Sequence, residues 1–188
     1  MKCPCCSSDS MKAGRLETGL PGYICQTCSG SLLSLSTYLD WAHAPGELSS
    51  RVSEPDNCAI NPTDSKQALS CPRCQRLMLK YRISADSDHK LDYCFGCQEV
   101  WFDGGEWDFL KSKGLANHVT CISTDVWQRK IRERASEENS RLRFEALMGP
   151  EIFSSAKDFK TLIEGHKNRD AILAFISASN LVEGETDQ

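Results

Sequence analysis

The stretch Cys94-Phe95-Gly96-Cys97-Gln98-Glu99-Val100-Trp101-Phe102-Asp103-Gly104-Gly105-Glu106, with Cys71-Pro72-Arg73-Cys74 upstream of it, decides how this chain reads. Two Cys-x-x-Cys turns separated by 19 residues can bring four sulfurs to one point. The segment between them, Leu77 to Ile83 and Lys90 to Tyr93 around Asp86-Ser87-Asp88, has the pattern of two short strands and a turn. The same arrangement occurs once more near the start of the chain. There, Cys3-Pro4-Cys5-Cys6 and Cys25-Gln26-Thr27-Cys28 enclose 18 residues.

Four thiolates at tetrahedral spacing match the preference of Zn²⁺ for soft ligands, with Zn–S near ~2.3 Å. The expectation is two metal sites per chain: Cys3, Cys6, Cys25 and Cys28 in the first, and Cys71, Cys74, Cys94 and Cys97 in the second. With four protein ligands each, neither site has a position for water, so the zinc would hold structure. About −2 net charge remains on each site, for which Lys2, Lys12, Arg73, Arg76 and Lys80 are nearby cations in sequence. Dithiol redox chemistry fits less well, because no Cys-x-x-Cys opens a helix after a strand. Cys5 lies between two ligands and is an alternative to Cys3 in the first site. Cys58 and Cys121 read as plain thiols, and His43 and His118 as non-ligands.

The tail Trp101-Phe102-Asp103-Gly104-Gly105-Glu106, following Cys71-Pro72-x-Cys74 and Cys94-x-x-Cys97, resembles the transcription-factor-IIB-type zinc-finger family (zf-TFIIB), a group of small zinc ribbons. The resemblance covers about 40 residues. It implies a ribbon fold with Cys71, Cys74, Cys94 and Cys97 as zinc ligands. Phe95 replaces a usual Pro, and Gln75 and Glu99 replace usual glycines. The first half keeps Cys3, Cys6, Cys25, Cys28 and Gly30 but has Leu32-Leu33-Ser34 in place of Trp-Phe-Asp, so it is similar to a diverged copy.

Around these modules the chain divides as follows: 1–43, first ribbon-like module; 44–70, a linker rich in Pro, Ser and acids; 71–114, second module; 123–182, a helical segment; 183–188, a tail. Ser31 to Trp41 shows helical spacing of its apolar residues. Asp103 and Glu106 have the spacing of a capping box. Ser123-Thr124-Asp125 marks the start of a long helix over Val126 to Met148, stopped by Gly149-Pro150, with shorter helices over Ser155–Glu164 and Arg169–Ser179. The expected class is α+β: two small metal-stabilised β-rich modules and an all-α C-terminal segment.

The chain has 188 residues, a net charge of −4 and 8% aromatics. That balance gives no general attraction to nucleic acid. Arg129, Lys130, Arg132, Arg134, Arg141 and Arg143 cluster on the long helix, but Glu133, Glu137, Glu138 and Glu145 interleave at pairing distance. Trp101, Phe102 and Trp107 read as a small core. The N-terminus carries no signal-like apolar run, and no stretch reaches the roughly 18–20 apolar residues of a membrane span. The expectation is a cytoplasmic, reduced, zinc-binding scaffold or adaptor without enzymatic activity and with a protein partner. The alternatives are a nucleic-acid-binding protein in transcription regulation and a zinc-linked thiol redox switch.

Overall fold

The computed structural model describes residues 1–44 and 66–178. Most of the expected linker and all of the tail, with Cys58, lie outside the described residues. Among the described residues the class is α+β, with one six-stranded antiparallel sheet and six helices. The first half supplies β1 (Met11–Glu17), β2 (Leu20–Cys25), β3 (Ser31–Ser34) and α1 (Leu35–Ala42). The second supplies β4 (Leu79–Arg82), β5 (Lys90–Cys94), β6 (Glu99–Phe102) and α2 (Glu106–Ser112), followed by α3 (Val119–Ile122).

The strand order is β1-β2-β3-β6-β5-β4, so the two halves meet edge to edge through β3 and β6. In that seam Ser31 faces Phe102, Leu32 faces Trp101 and Leu33 faces Val100. Trp101 follows Leu32 by 69 residues, the interval that also separates Cys94 from Cys25 and Cys97 from Cys28. Leu32 and Trp101 therefore hold matching places in the two halves and pair with each other. A local two-fold axis passes between them, as in the self-complementary interface of a symmetric dimer. The pairing covers an edge on each half that would otherwise offer free N–H and C=O groups.

Alternation along β3 and β6 sends successive side chains to opposite faces of the sheet. Leu33, Val100 and Phe102 join the larger core with Tyr38 and Trp41 of α1, Trp107 and Leu110 of α2, and Val119 and Ile122 of α3. Leu32 and Trp101 point the other way, into a cluster with Cys3, Cys25, Cys71, Cys94, Leu69 and Met78. Both sets of cysteines are thus rooted in one apolar layer. Trp101, Phe102 and Trp107 are core residues, at 0%, 0% and 7% exposure.

The helix expected over Ser31 to Trp41 starts later, at Leu35. Ser31–Ser34 is strand because its backbone pairs with β6, which local spacing does not reveal. Half of the expected capping box forms: Glu106 Oε2 accepts the Asp103 N–H at 2.8 Å. The Asp103 carboxylate instead accepts the Trp101 indole N–H at 2.7 Å.

The C-terminal helices are α4 (Asp125–Met148), α5 (Pro150–Ile163) and α6 (Arg169–Ser177). Thr124 Oγ1 accepts the Trp127 N–H at 3.3 Å at the start of α4. Pro150 opens α5, earlier than expected, because its missing N–H costs nothing at a first helical position. The chain divides into two compact units, Met1–Ala135 and Ser136–Gln188. Among the described residues of the second, only Ile163 is a buried hydrophobic residue. Leu147, Ile152, Leu162, Phe175 and Ile176 are all more than half exposed. The basic residues of α4 are partly paired along the helix, Arg141 with Glu138 at 2.8 Å and with Glu145 at 2.7 Å. No helix among the described residues is long and apolar enough to cross a membrane.

Candidate metal centres

Each Cys-x-x-Cys turn ends on a residue that L-amino acids rarely allow. Ser7, Ser29, Gln75 and Gln98 directly follow Cys6, Cys28, Cys74 and Cys97, and their φ values are 59°, 59°, 62° and 54°. Among the described residues these are the only non-glycine residues with positive φ. Such conformations cost energy and persist where surrounding interactions fix them.

Backbone hydrogen bonds fix these. The N–H groups of Ser7, Ser29 and Gln75 donate to the carbonyls of Cys3, Cys25 and Cys71 at 3.0, 2.9 and 2.9 Å. In turn the N–H groups of Cys3, Cys25 and Cys71 donate to the carbonyls of Ser8, Gly30 and Arg76, each at 2.8 Å. The fourth turn is closed by the Cys97 N–H on the Cys94 carbonyl at 3.3 Å. The result is four tight loops, each aiming two sulfurs inward.

The sulfurs converge. Cys3, Cys6, Cys25 and Cys28 form one group, and Cys71, Cys74, Cys94 and Cys97 another, with ligand atoms within 4.8 Å of one another. The S···S edges include 3.5 Å for Cys3–Cys28, 3.6 Å for Cys6–Cys25 and 3.5 Å for Cys74–Cys94. A regular tetrahedron with Zn–S of ~2.3 Å has S···S edges of about 3.8 Å, so the cages have the right size for such an ion. These separations are far above the ~2.05 Å of a disulfide, and all ten described cysteines are free thiols. The pairing is sequential: each half closes its own cage. Cys5, Cys121, His43 and His118 belong to neither group.

The cages distribute protons unevenly. Burial pushes the Cys28 thiol up to about 12 and raises Cys3 as well. Burial also acts on Cys25, but the Ser10 and Ser8 hydroxyls and the backbone N–H groups of Cys28 and Thr27 outweigh it and hold Cys25 down to about 5. In the second cage the Arg76 backbone N–H brings Cys74 down to about 6, whereas Cys97, beside Cys74, is pushed up to about 12. In the first cage burial opposes ionisation of Cys28 and Cys3, and in the second Cys74 opposes that of Cys97. A divalent cation at the centre reverses that opposition, because it favours all four thiolates together.

The cations near the second cage in sequence engage other groups. Arg76 lies over the turn glycine Gly96, so that a Cβ there would meet its Nη1 at 2.9 Å. Lys80 pairs with the buried Asp92 at 2.8 Å, and Arg73 pairs with the buried Glu99. Sequence reasoning missed Ser8 and Ser10, whose hydroxyls lie 3.5 and 3.2 Å from Cys25 Sγ. Their position five and seven residues past Cys3, in a Ser-rich run, was the available signal.

Fold and site together define an α+β protein with two four-sulfur groups able to hold metal ions. Compared with family models, curated proteins and solved structures, the chain finds no match.

Proposed function

We propose that this protein is a non-enzymatic scaffold ordered by two structural zinc ions, and that it works by contacting another protein. The observation that carries the reading is the fourfold recurrence of one left-handed cysteine turn, delivering two tetrathiol cages of ionic dimensions. Soft thiolate donors in a closed four-ligand set suit Zn²⁺ over the harder cations. With every ligand position taken by the chain, the ions would order the loops and offer no bound water for chemistry. The likeness of Cys71–Glu106 to zf-TFIIB ribbons supports a ribbon-type module there. Reduced cage thiols fit a cytoplasmic setting.

The protein-docking part rests on the second compact unit, whose helices leave most of their large apolar residues exposed. Contiguous exposed apolar surface commonly marks a protein contact. Arg141 of α4 is engaged by Glu138 and Glu145 and so is less available to phosphate.

The test is crosslinking and affinity capture with zinc-loaded full-length chain, read by mass spectrometry. The reading predicts a discrete protein partner whose capture is lost when Leu147 and Leu162 are changed to Glu. Salt-sensitive retention on mixed nucleic acid, with no protein captured, would replace it with the nucleic-acid reading.

A further inference from the structure

The two sides of the β3–β6 seam are built from matching positions but filled differently. On one side the Trp101 indole lies over Gly30, where a Cβ would come within 2.3 Å of the ring, and donates its N–H to Asp103 Oδ1 at 2.7 Å. The 69-residue interval places Leu32 opposite to Trp101 in role, Ser34 to Asp103 and Glu99 to Gly30. Leucine is smaller than tryptophan, and a cleft of about 250 Å³ remains on that side. Tyr23, Leu32, Ser34, Thr37, Arg73 and Glu99 are among its lining residues.

Glu99 is the telling member. It is only 3% exposed, and Arg73 pairs with its Oε1. Its Oε2 has no hydrogen-bond partner. A buried acceptor left unmade costs free energy that an incoming N–H donor would recover. Arg73 already balances the charge, so a neutral donor suits the site better than a second cation. Tyr23, with the Arg73 guanidinium 5.6 Å over its ring, supplies flat surfaces for stacking. Leu32 supplies an apolar floor.

We propose that this cleft binds an indole ring, its N–H donating to Glu99 Oε2 and its face against Tyr23 and Leu32. The site goes beyond the metal-held scaffold and does not rest on that reading. The same ring is presented by a free indole compound or by a tryptophan side chain of a peptide.

The experiment is a chemical-shift titration of the isotope-labelled full chain with indole, N-methylindole and N-acetyl-tryptophanamide. The expected result is saturable shifts of the Tyr23, Leu32 and Thr37 amides with indole. N-methylindole, lacking the donor, should bind about tenfold more weakly. Leu32→Trp, which fills the cleft from within, should abolish the shifts. Binding of N-acetyl-tryptophanamide as tightly as indole identifies a tryptophan side chain as the source, and binding of indole alone identifies the free compound. No saturable shift at these residues, or equal binding of indole and N-methylindole, overturns the proposal. The comparison of those two ligands needs no variant, so it stands even if Leu32→Trp misfolds.

Discussion

Gly30 lies beneath the indole of Trp101, so close that a methyl group on Gly30 would sit 2.3 Å from Cζ2 of the ring. One residue comes from each half of the chain. Their contact is part of the seam that makes two cysteine-bearing halves into one sheet, and it sets the first expectation.

Gly30→Ala should destabilise the protein by about 1–3 kcal/mol, because the buried indole has to move off its packed position. In a Trp101→Leu background the same change should cost less, since leucine clears the space. Denaturant unfolding of the four proteins of that cycle measures the coupling. Equal cost in both backgrounds would remove the steric account.

Tyr38 joins α1 to the segment after α2. Its hydroxyl donates to the Ala116 carbonyl at 3.1 Å and accepts the Val119 N–H at 3.2 Å. Tyr38→Phe should therefore cost about 1–3 kcal/mol, most of it from the buried amide left without an acceptor. Hydrogen exchange at Val119 should quicken in the variant.

The same tyrosine gives a pH expectation. Burial pushes its phenol from the ordinary 10.0 up to about 12, and burial also raises Tyr93 well above that ordinary value. The folded state holds these protons more tightly than the unfolded chain does. Stability from this source is thus complete below about pH 10 and is lost as pH rises through about 12. Tyrosinate absorbance and circular dichroism, followed together, should show these two phenols ionising with unfolding. Tyr38→Phe should reduce the alkaline loss.

Glu17 anchors the far end of β1. It accepts the Trp107 indole N–H at 2.9 Å and pairs with Lys111 at 3.0 Å, both charged side chains being about 95% buried. Lys111 keeps Asp108 at 2.7 Å, so Glu17→Ala should cost about 1–3 kcal/mol, most of it from the buried Trp107 N–H left without an acceptor. Arg141→Ala, which breaks exposed pairs on α4, should cost less than about 1 kcal/mol. Thermal unfolding of the two variants gives the contrast.

The cages were legible because Cys-x-x-Cys turns are local: Cys3, Cys6, Cys25 and Cys28 announce their grouping within 26 residues, and their later counterparts within 27. The continuous sheet was not legible. Its seam joins residues such as Leu32 and Trp101 across 69 positions, and Leu32-Leu33 matched a helical spacing as well as a strand. Asp103 and Glu106 had the right interval for reciprocal capping, but a buried indole N–H from Trp101 needed an acceptor and took Asp103. The Ser8 and Ser10 hydroxyls beside Cys25 depend on how the first turn lies against the second, which residue type alone does not encode.

The most direct measurement is native mass spectrometry of the reduced full-length protein, with elemental analysis, before and after strong chelation. The account predicts two zinc ions per chain. Cys25→Ala and Cys94→Ala should each lose one, and exhaustive chelation should release both with loss of the folded near-ultraviolet signal. Reduced protein that carries no metal and keeps that signal unchanged in chelator would contradict it.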